Sequence, residues 1–183
     1  MVALFLNLIL FNPNQITSSE SKFTIKDSKI VFYSYAPIEN IQAENTNSIG
    51  VVDFSTGEFI IKIPMNKFDF PNNLMEKHFN DSYLETEQYP NCIFKGTLSK
   101  SVDLTKIGSN DLTANGKLDL HGISKELFVP ITINIGNNSI DVISDFEITL
   151  KDFKIKIPKL LFKNIAEVVE IKMNASFEKY ISE

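Results

Sequence analysis

Apolar residues recur at every second position in run after run of this chain, and that spacing decides most of what it can fold into. Val169, Ile171, Met173, Ala175 and Phe177 alternate with Glu170, Lys172, Asn174 and Ser176. Leu127, Val129, Ile131, Ile133 and Ile135 make a second set. Ile140, Val142, Phe146, Ile148 and Leu150 make a third, opposed by Asp141, Asp145, Glu147 and Thr149. Phe59, Ile61, Ile63 and Met65 share a face, and the run from Leu112 to Leu120 alternates throughout. A period of two puts successive side chains on opposite faces, so each run reads as a strand with one face buried and one wet. Such strands belong to antiparallel sheets, because parallel strands are covered on both sides and read as continuous apolar runs.

The runs are separated by turn chemistry at Ser55-Thr56-Gly57, Gly108-Ser109-Asn110-Asp111 and Gly136-Asn137-Asn138-Ser139. One helix is predicted, over Pro71 to Tyr83, with Asn72 or Asn73 as its cap and Leu74, Met75, His78 and Phe79 along one side. Pro158 to Phe162 is ambiguous between helix and loop. About eight strands with one inserted helix make an all-β sandwich or a closed barrel. Strands of up to roughly ten residues favour the barrel, whose staves are strongly tilted. A barrel of that size has room either to fill its interior or to hold one ligand.

A chain of 183 residues is expected to form one domain. Residues 22–183 are assigned to the barrel domain, and residues 1–21 to a signal peptide and linker. The apolar stretch Val2 to Phe11 is too short to span a bilayer, which takes about 20 residues, and it suits the apolar centre of a secretory signal. No basic residue precedes it and no small-x-small cleavage site follows, so a first strand or short core helix is the other reading. The export reading makes the protein periplasmic or secreted. Cys92 is the only cysteine, which excludes an internal disulfide or a cysteine zinc site. In the strand-like run Asn91-Cys92-Ile93-Phe94 it reads as a small buried hydrophobe. The net charge is −5 and the chain has no Arg, so every basic side chain apart from two histidines is a lysine. Without guanidinium forks or a positive field, nucleic acid is discarded as a partner.

Candidates for chemistry are few. His78 falls in the predicted helix and His121 follows the run ending at Leu120. No third ligand stands at metal-binding spacing, and no Gly-x-Ser-x-Gly elbow, phosphate loop or dinucleotide glycine motif occurs. Asp141 and Asp145 fall on the wet face of a strand and read as solubilising charges. Tyr89-Pro90 reads as a rigid lead into a strand. Gly122 reads as a left-handed turn position in a Leu-His-Gly-Ile hairpin, with His121 bonding that turn. The chain does not read as an enzyme, although a lumen with His78 and His121 in it would be the place for a hydrolase or isomerase.

Two longer blocks carry a resemblance. One runs Phe68-Asp69-Phe70-Pro71-Asn72-Asn73-Leu74-Met75-Glu76-Lys77-His78-Phe79 and on through Glu85-Thr86-Glu87-Gln88-Tyr89-Pro90-Asn91-Cys92-Ile93-Phe94. The other is Gly116-Lys117-Leu118-Asp119-Leu120-His121-Gly122-Ile123-Ser124-Lys125. With Gly50 to Gly57 upstream, these resemble the YceI-like family over about Lys29 to Ile133, and more weakly to the C-terminus. The resemblance implies an eight-stranded antiparallel lipocalin-like β-barrel, usually secreted and not catalytic, whose lumen holds a long apolar molecule such as a polyisoprenoid. The absence of Arg points to the apolar tail rather than a pyrophosphate head group as what is recognised.

The alternating faces supply the expected lumen: Phe59, Ile61, Ile63, Phe94, Ala114, Leu118, Ile131, Phe146, Ile171 and Met173. Replacing small Ala114 or Ala175 by Phe is expected to block it. His78, Lys77 and Lys125 are the candidates for a mouth facing a head group. No cofactor or metal is expected, other than a bound polyisoprenoid or quinone-like lipid. The expected partner is a hydrophobic small molecule, with no transmembrane span, and a homodimer is compatible with the sequence. The alternative reading is a ligand-free filled barrel acting as an envelope interaction or stress-response module.

Overall fold

The computed structural model describes residues 21–36, 40–157 and 165–181. The expected signal and the ambiguous segment Pro158 to Phe162 lie outside the described residues, apart from Ser21. Among the described residues there are nine strands: β1 (Lys22–Tyr35), β2 (Asn40–Asn45), β3 (Ile49–Asp53), β4 (Glu58–Pro64), β5 (Asn91–Leu98), β6 (Gly108–Leu120), β7 (Ile123–Ile135), β8 (Ile140–Thr149) and β9 (Val168–Lys179). They form one antiparallel sheet in the order β2-β1-β3-β4-β5-β6-β7-β8-β9, closed on itself by pairing of β1 with β9. The alternating sets all turn their apolar members inward, as a half-buried sheet requires.

Eight staves are built from these nine strands. β2 and β3 pair with the same edge of β1 in one register, from Tyr35↔Asn40 and Ile30↔Asn45 to Thr24↔Val51 and Lys22↔Asp53. They are a single stave interrupted at residues 46–48. Asn45 is fully buried at the interruption. Its amide donates to the Pro64 carbonyl (2.8 Å) and its side-chain oxygen accepts from the Asn47 N–H (2.8 Å). Beyond this point β2 no longer follows β4. Its free edge instead exchanges two backbone bonds with Asp69, Glu44 N–H to Asp69 O at 3.0 Å and Asp69 N–H to Glu44 O at 2.8 Å. The segment between β4 and β5 thus closes a seam in the wall.

That segment holds a 3-10 turn (Met65–Lys67), the helix α1 (Asn73–His78) and a π turn (Phe79–Tyr83). The predicted helix exists but is half as long as expected. Asn72 caps it, its side chain accepting from the Leu74 N–H (2.8 Å) and the Met75 N–H (3.4 Å). The wide turn after His78 brings Tyr83 round to the side of Met75 and Phe79. Leu74, expected on the buried side, is 59% exposed.

The hairpin from β6 to β7 turns on His121 (φ 51) and Gly122 (φ 71), the double left-handed geometry of a two-residue type I′ connection. The turn expected at Gly108–Asp111 is instead the first part of β6, paired with β7 from Gly108↔Ile135 onward. The turn lies earlier, where the Asp103 carboxylate accepts from the Thr105 N–H and hydroxyl at 3.1 and 2.6 Å. Across β5 and β6, Gly96 faces Gly116. A Cβ at Gly96 would lie 2.0 Å from the Asn115 carbonyl oxygen, and one at Gly116 would lie 2.4 Å from that of Lys95. The two strands can approach this closely only because both positions lack a side chain.

Candidate functional site

The barrel holds two apolar chambers. The outer one, about 250 Å³, lies between the wall and the β4–β5 segment. Its signature is a cluster of phenylalanines. Phe32 of β1 stands 5.5 Å from Phe68, 5.7 Å from Phe70 and 5.6 Å from Phe79, ring centre to ring centre, and is stacked on the last. Phe70 and Phe79 are 5.0 Å apart. These separations are those of favourable aromatic pairs. The inner chamber, about 90 Å³, has Phe54 and Phe177 in its lining. The apolar interior thus contains unfilled space in both places.

All ten residues read from the sequence as lumen face a chamber. Ile63, Leu118, Phe146 and Ile171 line both, while Phe59, Ile61, Phe94, Ala114, Ile131 and Met173 line the inner one. None lines the outer chamber alone. The phenylalanines that dominate the outer chamber escaped the reading because three of them lie outside regular strands, where no period marks them. The one available signal was the density of Phe in Phe68-Asp69-Phe70 and Phe79. Ala175 is buried in the core beside the inner chamber but lines neither.

Polar groups in the chambers are few and mostly committed. Ser34 accepts from the Ala166 N–H at 2.8 Å, and Ser144 donates to the Pro130 carbonyl at 2.7 Å. Burial pushes the Cys92 thiol up to about 12, with the Asp119 carboxylate adding to it. Burial likewise raises the Tyr83 hydroxyl above its usual range. Among the described residues no cluster of His, Cys, Asp or Glu could hold a metal ion.

Of the residues expected at a mouth, His78 lines the outer chamber. Lys77 is exposed and forms an ion pair with Asp81 one turn on. Lys125 is exposed at the β6–β7 hairpin, opposite Leu118 in the ladder. Neither lysine lines a chamber. The two histidines do not share the lumen. His121 bonds distant segments rather than its own turn: its Nδ1 donates to the Phe153 carbonyl at 3.0 Å, an atom that can only accept, and its Nε2 lies 2.9 Å from the Glu85 carboxylate. Its ring also meets Tyr89 edge-on at 4.7 Å. It therefore ties the hairpin to the 3-10 turn Leu150–Phe153 and to the stretch after the π turn, both of which border the outer chamber.

Several solved structures share this architecture. A polyisoprenoid binding domain from Saccharophagus degradans, implicated in plant cell wall breakdown, matches with a TM-score of 0.74 at 17% identity, over 88% of this chain and 99% of that one. BcnA from Burkholderia cenocepacia matches at 0.70 and 17%, over 81% and 95%. A YCEI protein from Campylobacter jejuni matches at 0.56 and 16%, over 98% and 100%. At such identities the likeness is one of fold. No curated protein matches the chain. The family model for a YceI-like domain, however, matches residues 15–177, nearly the whole closed barrel together with the β4–β5 segment that roofs its lumen, and the chain belongs to that family.

Proposed function

We propose that this protein binds and carries an apolar lipid, of isoprenoid type, in its lumen and performs no chemistry on it. The observation that carries the reading is the outer chamber. Protein interiors are close-packed, with few voids larger than a water molecule. A void of 250 Å³ left empty would forgo on the order of 6 kcal/mol by the relation between cavity volume and lost stability. An aromatic and aliphatic lining suits a hydrocarbon guest, which gains roughly 0.8 kcal/mol for each CH₂ it buries. The polyisoprenoid binding domain of Saccharophagus degradans has the same fold, which supports an isoprenoid over other lipids.

A water-soluble carrier of this kind belongs in the periplasm or outside the cell, with Val2 to Phe11 as its export signal. Among the described residues no helix is long and apolar enough to cross a membrane. N-terminal sequencing of protein from its native host is expected to find the mature chain starting between Asn12 and Ser21.

The binding reading is tested on the same preparation by native mass spectrometry and solvent extraction. One apolar lipid released per chain is the expected result. Protein that is folded and carries nothing, and that takes up no prenol afterwards, would overturn it.

A further inference from the structure

The two chambers are distinct volumes that adjoin at a shared ring of wall residues. Ile30, Ile63, Leu118, Phe146 and Ile171 line both, and they come from five strands spread around the wall. The buried core is divided in the same place. One cluster gathers around Phe68 and Phe79, the other around Phe54 and Phe177, and Phe94, Leu127, Phe146 and Met173 pack against both. Phe146 is the one residue common to the two sets. Three of its companions in that shared ring are isoleucines, stiff at χ1 because they branch at Cβ. Phe146 is unbranched at Cβ and only half-buried, so its ring can move without displacing the strand that carries it.

The volumes set a scale. A cavity of about 150 Å³ lined by Leu, Ile and Phe holds one benzene ring. By that ratio the outer chamber (250 Å³) holds on the order of ten carbons, roughly two isoprene units, and the inner one (90 Å³) on the order of four. We propose that Phe146 gates the lumen by length: a prenyl chain of about two isoprene units fills the outer chamber with the ring in place, and a longer chain reaches the inner chamber only when that ring swings aside. The proposal rests on the reading of the lumen as a lipid site.

The test is calorimetric titration of delipidated protein with geraniol, farnesol and geranylgeraniol, successive members of the prenol series. In the unmodified protein, affinity rises little from geraniol to farnesol. In Phe146→Ala the same step is worth roughly tenfold or more, because the added unit now buries several CH₂ groups. Adding Ala114→Phe to Phe146→Ala fills the inner chamber and abolishes the gain. Phe146→Leu gives an intermediate step and answers the question if Phe146→Ala does not fold. An equal, full step from geraniol to farnesol in unmodified and variant proteins overturns the gate while leaving the carrier reading intact. Failure of the unmodified protein to bind any of the three overturns the carrier reading itself, and the gate with it.

Discussion

Asn45 and Cys92 show what single residues contribute and how differently they announce it. Asn45 ends the run Asn40-Ile41-Gln42-Ala43-Glu44-Asn45, in phase with Ile41 and Ala43; the spacing places it inward although its side chain is polar, and it is fully buried. Its two bonds replace the ladder where β2 leaves β4. Asn45→Leu would strand the Pro64 carbonyl and the Asn47 N–H, each costing about 1–3 kcal/mol if left without a partner. The variant is therefore expected to melt several degrees lower, as calorimetry would show. An unchanged melting temperature would mean that water or a shifted backbone takes over both bonds. Cys92 was legible, because it shares the period of Phe94 in an apolar run. With its thiol held near 12, almost none is thiolate at mildly alkaline pH, and the thiolate is the nucleophile. Iodoacetamide should leave it unmodified in the native protein and alkylate it after denaturation. Ala114 and Ala175 looked equivalent in the alternating sets. The structure separates them, since only Ala114 lines a chamber. Ala114→Phe adds volume to empty space and should preserve the fold, whereas Ala175→Phe overpacks a filled core and costs roughly 1–3 kcal/mol. Thermal melts of the two variants, run side by side, check the contrast.

At the scale of elements, legibility follows regularity. The long strands were readable because burial of one face repeats a signal every two residues, and register then follows from the same pattern. The β4–β5 segment was readable only in part. Asn72 marks the start of α1, but nothing in Phe79-Asn80-Asp81-Ser82-Tyr83 signals the change to a wide π turn, which tertiary packing of Phe79 and Tyr83 against the lumen favours. The role of His121 was hidden for a related reason, since both its partners are distant in sequence. Its bonds to Phe153 and Glu85 hold three irregular pieces at the border of the outer chamber. His121→Ala removes two hydrogen bonds, one of them to a carboxylate, and should cost on the order of 1–3 kcal/mol. The loss should be local: amide exchange should accelerate at Lys154 and Ile155, whose N–H groups bond back into the Leu150–Phe153 turn, with the centres of β6 and β7 unaffected. Uniform acceleration across the barrel, or none, would show that the clasp does not act on this border.

Closure governs the molecule as a whole. With β1 bonded to β9 and the divergence of β2 sealed by Asp69, the wall presents few free edges for another chain to pair with. The unfilled outer chamber leaves its phenylalanines without contacts on one side. A guest that binds the folded chain alone therefore raises stability by mass action, by about 2.7 kcal/mol at a free concentration a hundred times its dissociation constant. For a chain of this size each kcal/mol moves the midpoint by roughly 2–4 °C. Delipidated protein should accordingly melt roughly 5–10 °C below the same protein saturated with farnesol. The shift should grow with the logarithm of farnesol concentration and shrink when Phe79→Ala weakens the aromatic cluster. For a guest held by burial, as proposed, and not by a titrating head group, the shift should also persist from mildly acidic to mildly alkaline buffer. A shift that vanished on crossing neutrality would place an ionisable group at the centre of recognition instead of the apolar lumen.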